Sequence, residues 1–347
     1  MASKKGDVGL VRKRNDRTSL SEIGERSIIE IVKKHLDAIP ASPVPFGDDV
    51  AAVTIQGELV AVLKTDMLVG KTDVPDAMSL RQAARKAVVM NVSDFAAKGA
   101  EPSAALVSLG LPRTFSTKDV EEIAEGLNMG AREYGAYVVG GDTSEACDLI
   151  VGVSLYGTAL KSKLMLRSGA KPGDVVAVTG LFGKPAAGLR LLSKNVKLAG
   201  ELHKALVDSV FMPHARLKEG LALSECGAVS ASIDSSDGLA WSLHELTRMS
   251  GIGFLIDRVP LAEEARRFAE SCQVDALELA LYGGEEYELV VTVKPERWRE
   301  TEAAVEAVDG RLFPIGMVTQ QKQVVLEKDG KKRLIEPRGW EHFRSKA

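Results

Sequence analysis

The chain of 347 residues is 45% hydrophobic and 27% charged, which suits a globular protein of two cored domains and excludes a disordered or fibrous one. A formal net charge of −3 gives no overall attraction to nucleic acid or to an anionic membrane, so an anionic ligand must be held locally. Cys147, Cys226 and Cys272 lack metal-ligand spacing, and no stretch resembles a signal peptide or a spanning helix, so the expectation is a cytoplasmic protein with neither nucleic acid nor membrane as partner.

In chain order, residues 1–18 read as a mobile basic tail. Ser19 and Glu22 have capping-box spacing ahead of a helix running to about His35, which Pro40, Pro43 and Pro45 terminate. Apolar runs at 50–55 and 59–63 flank Gln56-Gly57-Glu58 as a hairpin. A helix over 79–97, a strand over 104–109, a helix over 118–134, a strand over 136–139 and a strand over 149–160 follow. Lys, Ser, Gly and Pro at 161–173 mark a linker between domains spanning 19–160 and 174–347. Beyond it the pattern gives strands at 175–179, 229–233 and 287–293, helices up to about Cys226, and a helix over 238–249. Strands and helices alternate in both halves, so the fold class is α/β or α+β.

Acidic turns recur where strands are expected to end: GDD at 47–49, TD at 65–66, GGDT at 140–143 and IDSSDG at 233–238. Carboxylates just past strand ends sit where α/β proteins bind ligands, so the recurrence points to one shared site. Asn91, Asp94 and Lys98 fall on one face of the helix at 79–97, where Asp94 either pairs with Lys98 on a solvated face or joins that site. Clustered carboxylates without His or Cys are hard oxygen ligands suited to Mg²⁺ and a phosphate substrate. Gly140-Gly141 allows close approach of a phosphate, and Gly238 opens a helix N-terminus. GGEEYEL at 283–289 reads locally as a solvated turn in which Gly supplies positive φ. P-loop, dinucleotide-binding, protein-kinase and Ser–His hydrolase motifs are absent.

Taken together, GDDVAAV, TDMLV, KAVVMNVSDFAAKGAEP, GGDT, RSGAKPGD, VTG, SIDSSDGLA, GGEEYEL and GWEHF, in this order over about 20–345, resemble the thiamine-monophosphate kinase family of the aminoimidazole-ribonucleotide synthetase-like superfamily. The resemblance implies two α/β domains, a homodimer built by the N-terminal domains, and ATP-dependent phosphorylation of thiamine monophosphate with several Mg²⁺ ions. It makes Asp49, Lys64 (through its carbonyl), Thr65, Asp66, Asp94, Asp142, Asp234 and Asp237 metal ligands. Gly141, Asp142, Arg167 and Ser236 would contact ATP, and Asp94, Asp142 and Arg167 would carry catalysis. Asp73, Glu285 and Trp340 would face the thiamine phosphate. Three positions depart from the family pattern: Lys64 stands where Ser is common, Asp73-Val74 where His-Phe is, and Glu286 where Asp is. The alternatives are another ATP-using member of the superfamily with a changed substrate, or a silent nucleotide sensor. Selenide and hydrogenase-maturation chemistry are disfavoured because no Cys lies in the N-terminal segment and none ends the chain.

Overall fold

The computed structural model describes residues 18–194, 196 and 198–343, so the basic tail lies outside the described residues. Its elements begin α1 (Leu20–Lys33), β1 (Ala51–Gln56), β2 (Leu59–Val69), α2 (Gly70–Asp73), α3 (Leu80–Lys98), β3 (Glu101–Leu111), α4 (Thr117–Glu133), β4 (Tyr137–Glu145) and β5 (Ile150–Leu160). They continue as β6 (Val175–Val178), α5 (Lys184–Ser193), α6 (Gly200–Phe211), α7 (Leu217–Cys226), β7 (Val229–Ser235), α8 (Leu239–Ser250) and β8 (Gly253–Ile256). The remainder is α9 (Glu263–Cys272), α10 (Ala276–Tyr282), β9 (Glu288–Val293), α11 (Trp298–Glu306), β10 (Phe313–Thr319), β11 (Val324–Lys328) and β12 (Lys331–Leu334). Residues 41–340 form one compact unit; 1–40 group separately with 341–347.

Within 41–340 there are two mixed sheets, ordered β1-β2-β5-β3-β4 and β12-β11-β8-β10-β6-β9-β7. Only β3 with β4 and β11 with β8 run parallel. The chain passes from one sheet to the other between Leu160 and Val175. The expected hairpin is β1–β2, but β2 continues to Val69 because it pairs with β5 along its whole length. Thr65 and Asp66 therefore lie inside a strand, not past its end, and the GGDT segment likewise lies inside β4. Three strands, β10 to β12, follow the last one expected; β12 is exposed throughout and basic but for Leu334, and β10 carries Pro314 and Gly316, so neither shows a strand pattern.

Helix α3 is the element the two sheets share. Ser79 caps its start by accepting from Gln82 N–H at 3.2 Å, and Gly99 ends it in the left-handed region at φ 65°. It packs against β2 and β5 of the first sheet and β7 and β9 of the second, and its Val92 and Phe95 share a core with Val153, Leu223, Leu289 and Val291. Helix α4 comes close enough that a Cβ on Gly126 would stand 2.1 Å from the Arg81 carbonyl oxygen. Arg81 in its first turn is exposed, but from Ala83 onward α3 has no solvated face, and its polar residues Arg85, Lys86, Asn91, Ser93, Asp94 and Lys98 are all buried. Each such charge needs a partner from another element.

Candidate active site

The partners of α3 define the site. The ammonium of Lys98 meets Asp48 at 2.7 Å, Asp49 at 2.6 Å and the Ser232 carbonyl at 2.7 Å. Arg167 donates from Nε to Asp49 Oδ1 at 2.8 Å and from Nη1 to the Gly47 carbonyl at 3.0 Å, while its backbone N–H donates to Asp48 Oδ2 at 2.9 Å. Two adjacent carboxylates are thus tolerated in the interior because two cations grip them. The pairing of Asp94 with Lys98 on a solvated face does not occur. Asp94 instead meets Lys64 Nζ at 2.9 Å, and Lys64 also reaches Asp66 at 3.2 Å.

Asp49, Asp94 and Asp234 converge: one carboxylate oxygen from each lies within 4.8 Å of the others, and all three residues are buried. Asp234, near the end of β7, accepts from the Ser93 hydroxyl at 2.7 Å. Burial acts to raise Asp49, but Arg167 and Lys98 overcome it and hold that carboxyl below its ordinary value. Asp94 lacks such compensation: burial, with the charges of Asp234, Asp66 and Asp49, raises it well above the carboxylate range despite Lys64. Burial and the Asp49 charge push Asp234 up to about 7. The cluster is short of positive charge, and its donors are hard oxygens with no His or Cys among them, so the residues fit Mg²⁺.

A second grouping forms around the turn after β7. Glu285 N–H donates to the Ser236 carbonyl at 2.7 Å and Trp340 N–H to the Asp237 carbonyl at 3.0 Å, so two of the three expected substrate contacts are tied to this turn. Ser236 is exposed and Asp237 half-buried, outside the three converging carboxylates. Positive φ in GGEEYEL falls on Glu285 (66°) and Tyr287 (54°), not on the glycines, and the segment is buried rather than solvated from Glu286 onward. Buried Lys86, which the sequence reading passed over, forms an ion pair with Glu285 and donates to the Asp73 carbonyl at 3.3 Å. Glu285 Oε2 is left buried without a hydrogen bond.

Other expected residues stand apart within the chain. Thr65 faces the exposed side of the first sheet, hydroxyl to hydroxyl with Ser154 at 3.0 Å. Gly141 and Asp142 lie on exposed edge strand β4, whose register sets Asp142 beside Ser108, in a row with Gly152 and Met67. Strand alternation puts that row on the same side as Thr65 and away from the cluster. The Asp73 carboxylate accepts from Val69 N–H at 2.8 Å, closing the turn after β2. The side chain of Lys64, expected to contribute its carbonyl, turns into the carboxylates.

Family models of the AIR synthase related protein match here, the N-terminal domain at residues 47–159 and the C-terminal domain at 171–329. Two sheets joined by α3, with an acidic cluster between, are thus those of an AIR synthase related protein. The chain is 34% identical to the thiamine-monophosphate kinase of Nitrosopumilus maritimus, over 94% of this chain and 100% of that one. It is 38% identical to that of Pyrococcus horikoshii, over 86% and 91%. It also superposes on a solved structure of AaThiL complexed with AMPPCP and TMP, with a TM-score of 0.83 and 31% identity over 94% of this chain and 100% of that one. The chain belongs to the thiamine-monophosphate kinase family.

Proposed function

We propose that this protein transfers the γ-phosphoryl group of ATP to the phosphate of thiamine monophosphate, giving thiamine diphosphate and ADP. Family membership supports the reaction, as do the AMPPCP and TMP bound by the similar AaThiL. The observation that carries it is the convergence of Asp49, Asp94 and Asp234, buried and under-neutralised. The acceptor is itself an anion at neutral pH, so no general base is needed to create the nucleophile. The barrier is repulsion between two polyanions, together with in-line alignment. Asp49, Asp94 and Asp234, with Asp66 and Asp237 as further oxygen donors, would hold Mg²⁺, which would supply neutralising charge to the phosphates.

The chain's own residues then divide the work. Lys98 and Arg167 fix Asp49, so Arg167 acts by positioning a ligand. Lys86 orients Glu285, whose open Oε2 is a hydrogen-bond acceptor suited to the amino group of the pyrimidine. Trp340, whose backbone is tied to the same turn, carries an indole whose π-face would suit the cationic thiazolium. The Asp73 carboxylate accepts from Val69 N–H, so we assign it to supporting the turn.

The exposed side chains of the first sheet include Leu63, Met67, Leu106, Tyr156 and, on edge strand β4, Val139, a set of large apolar groups that a partner surface would cover. We assign this surface to a homodimer, with Gly141 and Asp142 meeting nucleotide from that interface. Asp142→Asn should be inactive, and mixing it with inactive Asp94→Asn should restore part of the activity; an active Asp142→Asn would place Asp142 outside the site, and no recovery would mean that the copies do not share one.

The decisive assay follows product formation with ATP, Mg²⁺ and either thiamine monophosphate or thiamine. Thiamine diphosphate with equimolar ADP, from the monophosphate alone, is expected. ATP binding without turnover on either acceptor would overturn the reading.

A further inference from the structure

Lys64 is the cation whose position the reaction does not by itself require. Lys98 and Arg167 are committed to Asp48 and Asp49. Lys64 instead leaves β2 towards the other side of the cluster, 2.9 Å from Asp94 and 3.2 Å from Asp66, and it also feels the charge of Asp234. It is the cation nearest to the under-neutralised carboxylates. A divalent ion drawn to Asp94 must share that carboxylate with a charge covalently tethered beside it.

The charges can be followed residue by residue. The carboxylates Asp48, Asp49, Asp66, Asp94 and Asp234 face the cations Lys64, Lys98 and Arg167. With all five ionised, as metal ligation requires, and with Glu245 near Arg167 answered by Arg248, two negative charges remain, which one divalent ion would balance. Without Lys64 three would remain, and Asp94 would have no cation within contact distance. A lysine ammonium cannot dissociate from the site and is indifferent to chelators; a metal ion has neither property.

We propose that Lys64 is a resident counter-cation that takes the place of one divalent ion in the unliganded protein, keeping Asp94 and Asp66 in position and lowering the metal requirement of the cluster. The proposal rests on the reading that Asp49, Asp94 and Asp234 hold metal, and it concerns what this chain adds to that site. It makes the carboxylates pre-organised before nucleotide arrives. It also reduces the dependence of the metal-free protein on added cation, because buried Asp94 has a side-chain counter-ion.

The test counts metal on the whole chain without nucleotide, using Mn²⁺ as the probe and electron paramagnetic resonance of the free ion as the readout. Lys64→Ser, which vacates space as well as charge, is expected to bind one Mn²⁺ more per chain than the parent. Lys64→Met, which keeps the bulk, is expected to bind Mn²⁺ at least about ten-fold more tightly, since a fixed repulsive charge has gone. Lys64→Arg, retaining the charge, should leave stoichiometry unchanged. Chelator should lower the melting temperature of Lys64→Ser and Mn²⁺ should restore it, while the parent responds weakly. Unchanged stoichiometry and affinity in Lys64→Ser and Lys64→Met, or weaker binding, would overturn the role of Lys64. Asp94→Asn separates this from the metal reading: if the parent binds Mn²⁺ no better than Asp94→Asn, the metal assignment itself fails, whatever Lys64 does.

Discussion

Two groups of buried carboxylates occupy neighbouring rows of the β7–β9 pair, where the register sets Asp234 opposite Leu289 and Ser235 opposite Glu288. Around Glu288 every demand is met: Arg216 donates from Nε at 2.8 Å and from Nη2 at 2.5 Å, and the Thr179 hydroxyl donates at 2.7 Å. Around Asp234 it is not. That carboxylate has one hydroxyl donor and like charges beside it. The difference separates an acid that ties a fold together from one kept in readiness for a cation.

The largest effect should come from Asp94→Asn. Loss of one ligand charge is expected to cut kcat by on the order of 10²–10³-fold or more. Stability should change little, since the substitution removes repulsion from Asp234, Asp66 and Asp49 while Lys64 keeps Asp66. Steady-state kinetics beside thermal unfolding checks both halves. A variant with near-normal kcat would show that the cluster is structural after all.

Arg216→Met is the converse. It strands Glu288, and breaking a buried pair costs roughly 3–5 kcal/mol, less here because Arg216 is about one-third exposed, so roughly 2–4 kcal/mol of stability should go. The kcat of the protein that remains folded should stay within about two-fold, since Arg216 touches no proposed ligand. Urea unfolding measures the first quantity and activity per folded molecule the second. A large fall in kcat at full stability would merge the two groups into one functional unit.

Smaller still is the effect expected of Asp73→Asn. The amide can replace the carboxylate as acceptor for Val69 N–H, at a cost of about 1 kcal/mol or less. KM for thiamine monophosphate should be unchanged, because Asp73 serves the turn. A KM shifted ten-fold either way would return Asp73 to the substrate shell.

The carboxylates of this site were legible in the chain and their counter-ions were not. Asp49, Asp94 and Asp234 stand in short local patterns, Gly-Asp-Asp, a helical face, and a strand running into Asp-Ser-Ser-Asp-Gly, and local patterns survive without tertiary information. Lys98 finds Asp48 and Asp49 across about fifty residues of chain, and Arg167 finds them across 118 and more. Nothing local encodes such a meeting. Lys98 sits four residues after Asp94, and the i to i+4 rule pairs them only on a helix with a solvated face; the burial of α3 on all sides redirects both. Strand ends failed similarly: Lys64, Thr65 and Asp66 look like the end of an apolar run, but pairing with β5 carries β2 past them to Val69. The alternation at half-buried positions was there in Val60, Val62, Asp66 and Leu68, with polar Lys64 filling the inward slot between them.

Glu286 offers the finest discrimination, because it is a buried acid belonging to neither group. It accepts from Gly183 N–H at 2.5 Å at the start of α5, yet burial, reinforced by the charge of Glu288, raises its carboxyl well above the ordinary value of 4.5. A carboxyl whose folded value is raised binds its proton better in the native state than in the unfolded chain. It therefore supports folding while protonated in both states, and that advantage is lost as pH climbs from about 4.5 towards the raised value. Glu286→Gln retains an acceptor oxygen for Gly183 and cannot ionise. Its stability relative to the parent should be flat near pH 4 and should then grow in its favour as pH rises, by about 1.4 kcal/mol for each unit by which the native carboxyl is raised. Urea midpoints measured from pH 4 to 9 give the curve. A constant difference across that range would mean that Glu286 ionises freely in the folded protein. A parent that gains on the variant with rising pH would mean that the carboxylate has a cationic partner, and Glu286 would then belong with Glu288 in the group that ties the fold.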